Sequence, residues 1–426
     1  MNIFRRWIKQ TKGIGIAAVS IMLALALVAS GFAPAGAAPT AEGINVGIHA
    51  VLTGPIADAG VRFTHGMVDW GRRMNEKGGI NGVRINILWE DEGAAFIPRS
   101  IVLHKKFKER GVILEVGFIT DQGVLLAPLL EKDEIPLLVI TAYAQDMVTK
   151  PIPWNFAGVI SGPDEGAAAV AWALDGWTER RPLRVGVFIY DLTRTRESVE
   201  GVKWACEQGG AELVGIEVIP IMALDTSTEW LRLAGKKPDI ILVNLCAQAM
   251  IVAMKDQGRL GIQDQGISIC HYASFTCLDD MKHVFLKESE GNYVTKPYPT
   301  KAELGMKEVA SLKEILEAGK KYRGWDPHEV PETYVLINAC MGPIIVEAIR
   351  LAIEEVGIRN LTGRAVRDAF ASLRDVDTGG ALPPITMSDK TPYMIDSFGI
   401  CQVQQGKILP VTEKRYRGPG GFIKFE

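Results

Sequence analysis

The residue types that most often carry out chemistry are present in this sequence but are not spaced for it. The six histidines are His49, His65, His104, His271, His283 and His328, and no two form the His-Glu-x-x-His pair that sets two imidazoles on one helical face for zinc. No Gly-x-Ser-x-Gly turn raises a nucleophilic serine above a sheet. No Gly-x-x-x-x-Gly-Lys-Ser/Thr loop is present to cradle phosphates, and Gly54 and Gly60 miss the dinucleotide pattern. The cysteines, Cys206, Cys246, Cys270, Cys277, Cys340 and Cys401, include no Cys-x-x-Cys pair, which argues against a zinc site or a redox motif. Cys270 and Cys277 are close enough in sequence to bridge, and burial as small hydrophobes is the alternative. No enzymatic activity, metal or cofactor is therefore expected.

Binding chemistry is better supported. In open α/β sheets, ligands sit beyond the carboxyl ends of the strands. That rule selects the loops 53–60, 117–121, 141–145, 190–195, 245–247 and 271–275. The candidate ligand-binding residues in them are Thr53, Phe118, Thr120, Asp121, Tyr143, Ala144, Gln145, Asp191, Thr193, Cys246 and Tyr272. Hydroxyls and backbone N–H groups at helix starts hold a carboxylate. A carboxylate such as Asp121 or Asp191 holds an ammonium or amide, and aromatic rings wall an apolar part. Arg194 and Arg196 either favour an anionic solute or are solvated charges at a helix start. For any single residue the competing reading is an ordinary turn.

These loops need a scaffold, and the hydrophobic periodicity supplies one. Apolar runs at Ile44–Leu52, Val83–Trp89, Val112–Val116 and Pro136–Ile140 read as strands. Between them, Phe63–Asn75, Pro98–Arg110 and Gly123–Lys132 read as helices. After a break at Trp154–Ile160, Ser161-Gly-Pro-Asp164 is a capping box that opens a helix. The alternation then resumes with strands at Leu183–Ile189, Leu213–Ile219, Asp239–Leu245 and Gly266–Cys270. Short links between strand and helix indicate a mostly parallel sheet covered on both faces, here twice over. Helices over about Thr300–Lys320 and Glu332–Glu354, and one capped by Thr362, have no strand between them and must cover an existing sheet. Tyr393–Val403 reads as one late strand.

The N-terminus carries an address. Arg5, Arg6, Lys9 and Lys12 precede the uncharged, largely apolar stretch 14–32, and Ala35 and Ala37 form an A-x-A site. Residues 1–37 are expected to be a cleaved signal peptide, with an uncleaved anchor as the alternative. The protein is then periplasmic or otherwise extracytoplasmic. A formal net charge of −3 gives no reason to expect nucleic acid as a partner.

Several segments resemble the type I periplasmic solute-binding proteins of ABC importers, in the Leu/Ile/Val-binding family. They are Val46-Gly-Ile-His-Ala-Val-Leu-Thr-Gly-Pro55, Asn75-Glu-Lys-Gly-Gly-Ile-Asn-Gly82, Glu90-Asp91-Glu92, Gly117-Phe-Ile-Thr-Asp121 and Ile135-Pro-Leu-Leu-Val-Ile-Thr-Ala142. The resemblance spans Ile44 to Pro410. It implies two α/β lobes closing on a ligand, with three crossings near Phe156–Ser161, Val294–Pro299 and Thr386–Tyr393. The implied division is 44–158 and 296–386 for the first lobe and 159–295 for the second. Residues 387–426 then form a crossing, late strands of the second lobe and a tail. Thr120 resembles the family's carboxylate-holding hydroxyl, whereas Tyr143 stands where a small alanine is expected and Gln145 where a threonine is expected. Asp191-Leu-Thr-Arg-Thr-Arg196 lacks the usual tyrosine and glycine, and Cys246 replaces an aromatic ring. The resemblance implies a monomer that delivers a small polar solute (an amino acid, amide or small carboxylate) to an ABC permease. A ligand-sensing receptor on the same scaffold is the alternative, and an extracytoplasmic enzyme a lesser one.

Overall fold

The structure, a computed structural model, describes residues 43–93, 98–148, 153–272, 286–422 and 424. The expected signal peptide and Cys277 lie outside the described residues.

Strands β1 (Ile44–Ala50), β2 (Ile85–Asp91), β3 (Val112–Gly117), β4 (Leu137–Tyr143) and β5 (Asn155–Ser161) form a parallel sheet. Its order, with the late strand β11 (Tyr393–Ile395), is β11-β5-β4-β3-β1-β2. Helices α1 (Ala57–Glu76), α2 (Pro98–Glu109) and α3 (Thr120–Asp133) connect the strands. Every residue of β3 and β5 is buried, as expected where helices cover both faces. Helix α1 packs through Ala59, Phe63, Met67 and Trp70, a stripe at helical spacing. It begins at Ala57 rather than Phe63 because Ala59 and Gly60 extend the buried stripe into the expected loop.

Ser161 ends β5 and caps the next helix, α4 (Gly162–Asp175), by accepting a hydrogen bond from Asp164 N at 3.1 Å. The first crossing falls there. Strands β6 (Arg184–Tyr190), β7 (Glu212–Ile219), β8 (Ile240–Asn244) and β9 (Ser268–His271) follow, linked by α5 (Thr193–Gly209), α6 (Ser227–Gly235) and α7 (Ala247–Arg259). With β10 (Tyr293–Lys296), β12 (Ser397–Gln404) and β13 (Lys407–Arg417) they form a second sheet, ordered β13-β12-β10-β9-β8-β6-β7. Helices α4 and α5 meet backbone to backbone. A Cβ on Gly201 would lie 1.7 Å from Pro163 O, and one on Gly166 2.2 Å from Ser198 O.

After β10 come α8 (Lys301–Met306), which touches β13 of the second sheet, and then α9 (Ala310–Arg323), α10 (Glu332–Val356) and α11 (Gly363–Ser372), which pack on the first sheet and its helix α1. The single helix expected over Thr300–Lys320 is two, broken where Glu308 takes a left-handed conformation at φ 51°. Helix α10 is long and apolar enough to cross a bilayer, but most of it is buried in the protein. The late strand expected over Tyr393–Val403 is also two. Strand β11 runs parallel to β5 in the first sheet, whereas β12 runs antiparallel to β10 in the second. Asp396, between them, is the third crossing, so the stretch after residue 387 serves both lobes.

Candidate functional site

The loop after β3 in the first lobe meets the loop after β6 in the second where Thr193 approaches Asp121, and this interlobe seam is the candidate cleft. On the first-lobe side, Gln122 organises the loop after β3. Its Oε1 accepts hydrogen bonds from Phe118 N (2.7 Å) and Ile119 N (3.0 Å), and its Nε2 donates to Glu92 Oε2 (2.7 Å). A Cβ on Gly117 would lie 2.7 Å from the same Oε1, so a larger residue there would push the Gln122 carboxamide out of this turn. Thr120 is buried and donates to Ala142 O at 2.9 Å, beside Thr141 Oγ1 at 3.0 Å. Ala144 N donates to Met147 Sδ at 3.2 Å. Phe118 N, Ile119 N, Thr120 Oγ1 and Ala144 N are therefore engaged within the protein.

Behind the loop runs a buried polar chain. Glu92 Oε2 lies 3.2 Å from His49 Nδ1, and His49 Nε2 lies 2.7 Å from Glu115 Oε2. Glu115 Oε1 meets His104 Nδ1 at 2.8 Å, and His104 Nε2 meets Asp133 Oδ2 at 3.1 Å. Lys108 Nζ ends the chain at the surface, 2.6 Å from Asp133 Oδ1. Burial works against charge on His49, His104, Glu115 and Asp133, but their partners win. His49 is raised to about 9 by Glu115 and Glu92, and Glu115 is lowered to about 2 by His104 and His49.

On the second-lobe side, Thr193 Oγ1 donates across the cleft to Asp121 Oδ1 at 2.5 Å. Arg194, the next residue, donates from Nη2 to Glu165 Oε2 at 2.7 Å and from Nη1 to Asn244 Oδ1 at 3.3 Å. Asn244 Nδ2 donates to Ser198 Oγ (3.2 Å), which lies 2.9 Å from Tyr272 OH. Tyr190 OH lies 3.2 Å from Cys246 Sγ. Glu197 is half-buried. Burial, then the charges of Asp146 and Asp121 on the opposite lobe, push its carboxyl up to about 7.

The expected site residues thus separate into groups. Asp121 and Thr193 meet across the cleft, with Phe118 and Thr120 in the buried turn beside Asp121. Thr53 and Asp191 are exposed at the rim, bonded to Asp91 (2.7 Å) and Arg196 respectively. Tyr143 and Tyr272 are fully buried. Tyr143 packs among Leu126, Leu130, Met147 and Trp154, so its ring belongs to the first-lobe core and does not wall the cleft. Gln145 holds the C-terminal tail instead of facing an open cleft: its Oε1 accepts from Lys424 N (2.7 Å) and its Nε2 donates to Lys424 O (3.2 Å).

Sequence reasoning missed Gln122, Glu92, Glu165, Glu197 and Asn244. A signal existed for Gln122, which stands three residues after Ile119 at the start of α3, where a glutamine reaches back to the cap N–H. No local signal marks Glu165, because its partner Arg194 lies on another helix. Among the described residues, no group of three or more His, Cys, Asp or Glu side chains is arranged to hold a metal ion.

Comparison with known proteins extends these observations. The sequence model of the family described as periplasmic binding protein matches residues 43–407. The Leu/Ile/Val-binding protein of Escherichia coli (strain K12) is 22% identical over 259 residues, which are 60% of this chain and 68% of that protein. The fold is similar to that of a branched chain amino acid ABC transporter protein from Thermus thermophilus with bound valine. There the TM-score is 0.77 at 18% identity, covering 88% of this chain and 97% of the other. A solute binding protein from R. palustris in complex with 4-hydroxybenzoate gives a TM-score of 0.71 at 18% identity, with 88% and 97% covered.

Proposed function

The chain belongs to the periplasmic binding protein family, and from that premise we propose that it is the extracytoplasmic solute-binding component of an ABC importer. It captures a small polar solute (an amino acid, amide or small carboxylate) between its lobes and delivers it to a membrane permease. In this reading residues 1–37 direct export and are removed, and the protein acts as a monomer. The first lobe comprises 44–158 and 296–386, and the second 159–295 with the late strands. The relatives named above, with bound valine and 4-hydroxybenzoate, support a small solute with a polar head.

The observation that carries the reading is the Asp121–Thr193 contact. Both residues lie where strand ends meet ligand in α/β sheets, and they join two lobes connected by three strands of chain. A solute that touches both lobes favours the closed form by its extra contacts. The test is a thermal-shift screen of amino acids, amides and carboxylates, followed by small-angle scattering with each hit. A ligand of the folded state must raise the melting temperature by mass action. A hit that also reduces the radius of gyration supports the proposal. Saturation by every hit with no change in the scattering profile overturns the capture mechanism.

A further inference from the structure

The close contact of α4 and α5 brings two helix N-termini side by side in the second lobe, with a Cβ on Gly162 lying 2.7 Å from Arg194 O. Helix N-termini carry partial positive charge and favour anions. Arg194, in the first turn of α5, adds a full positive charge there, with 12% of its side chain exposed. The anion at this spot is part of the protein: Glu165, in the first turn of α4, is 1% exposed and has Oε2 on Arg194 at 2.7 Å. Its other oxygen, Oε1, is buried without a hydrogen-bond partner. The location is interlobe. Thr193, beside Arg194, reaches Asp121 of the first lobe. Tyr298, near enough to Glu165 to feel its charge, presses its hydroxyl on Gly158 of β5, where a Cβ would lie 2.1 Å away.

We propose that this is the seat for the anionic head of the solute: a carboxylate docks on Arg194, and Glu165 takes up a proton from solvent as the carboxylate arrives. The inference rests on the solute-binding reading and specifies its substrate class as a small monoanion. Two carboxylates cannot both stay charged and desolvated beside one guanidinium, so the resident one is neutralised. The charge balance is complete: solute anion and one proton enter, and Arg194 keeps its charge.

The surroundings agree. Burial pushes the Glu165 carboxyl up to about 7, against the attraction of Arg194. Among the described residues, the other titratable groups that feel Glu165 are the neutral hydroxyls of Tyr272 and Tyr298. On its own helix, Asp164 is held by Ser161 Oγ and Gly420 N. On β13, Lys414 pairs with Asp175, Arg415 with Pro297 O and Ser397, and Arg417 with Asp396, leaving Arg194 as the cation that Glu165 meets. On the first lobe, Phe118 N and Thr120 Oγ1 are already engaged by Gln122 and Ala142, which favours the second lobe for the anion.

The test is titration calorimetry with matched pairs: benzoate and benzamide, isovalerate and isovaleramide, octanoate and octanamide. At least one carboxylate should bind tenfold or more tightly than its amide. Its affinity should fall about tenfold between pH 6 and pH 8, as Glu165 charges and holds Arg194. In buffers of different ionisation heat, wild-type protein at pH 8 should take up about one proton per solute. Glu165→Gln should bind with a flat pH profile, and Arg194→Gln should lose the preference for carboxylate. Amides binding as tightly as carboxylates, no proton uptake, or a pH slope that survives in Glu165→Gln each overturn the inference. If neutral solutes bind and close the lobes but carboxylates do not, the inference fails and the solute-binding reading stands. If nothing in the pairs or in the wider screen binds, both fail.

Discussion

Thr193 of the second lobe donates a hydrogen bond to Asp121 of the first, with 2.5 Å between Thr193 Oγ1 and Asp121 Oδ1. The bond holds two rim residues of the cleft together. It is absent from any arrangement in which the lobes have parted, so it contributes to closure and not to the folding of either lobe. Thr193→Val keeps the side-chain shape and removes the donor. A partly exposed bond of this kind contributes about 1 kcal/mol, or roughly fivefold in an equilibrium constant. The variant should bind a carboxylate or amide solute about that much more weakly. Its ligand-free melting temperature should match the parent's. Scattering of the ligand-free variant should show a larger radius of gyration, and an unchanged radius would show that the contact does not hold the cleft closed.

Tyr143 gives a contrasting expectation. Its ring is fully buried among Leu126, Leu130, Met147 and Trp154. Tyr143→Ala should therefore cost about 3–5 kcal/mol of folding stability, as for other large aromatic truncations in a core. Urea unfolding measures this directly. A variant that melts like the parent but no longer binds solute would return Tyr143 to the cleft wall.

The His49–Glu115–His104 chain makes stability depend on pH in two windows. Glu115 has a folded value of about 2 against an ordinary 4.5, so its stabilisation is present above 4.5 and lost as pH falls through 2. His49 has a folded value of about 9 against 6.5, so its stabilisation is present below 6.5 and lost as pH rises through 9. Each limb should remove on the order of 3 kcal/mol, with the plateau between the two windows. Glu115→Gln leaves the histidines beside a neutral group. It should remove the acid limb, shrink the alkaline limb that Glu92 still supports, and cost about 3–5 kcal/mol at pH 6. Urea midpoints between about pH 2 and pH 10 check the shape, and a flat wild-type profile would contradict it.

Glycine positions offer a test of the α4–α5 contact that positions Glu165 and Arg194. Gly201→Ala would set a Cβ 1.7 Å from Pro163 O, a backbone atom that cannot step aside without moving α4. Gly235 in α6 has open space at the same position. Gly235→Ala should be neutral or stabilising by up to about 1 kcal/mol. Gly201→Ala should destabilise by at least 1–3 kcal/mol, as overpacking does. Equal melting temperatures for the two variants would mean that the helices are not in backbone contact.

Much of the fold is local in origin and was readable in the sequence. The cap at Ser161 with Asp164 and the cap at Thr362 depend on residues within one turn of each other, and both form as expected. The alternation of apolar runs with helical stripes identified two α/β series. The late helices, having no strand of their own, were readable as cover for an existing sheet. Tertiary structure decided what depends on distant partners. The apolar stretch 393–403 is continuous in sequence, and only pairing with β5 on one side and β10 on the other divides it at Asp396. Tyr143 sits in a strand buried on both faces, where alternation cannot separate a core ring from a cleft ring. The loop positions of Asp121 and Thr193 were visible, but their meeting across 72 residues was not. Glu165 reads as one more acidic residue in a helix's first turn. It becomes a buried counter-ion only because glycines at 166 and 201 let α4 and α5 approach closely, with Arg194 29 residues further along the chain. Short-range propensity and capping act within a few residues and leave a trace in the sequence, whereas burial and charge pairing depend on which surfaces the completed fold brings together.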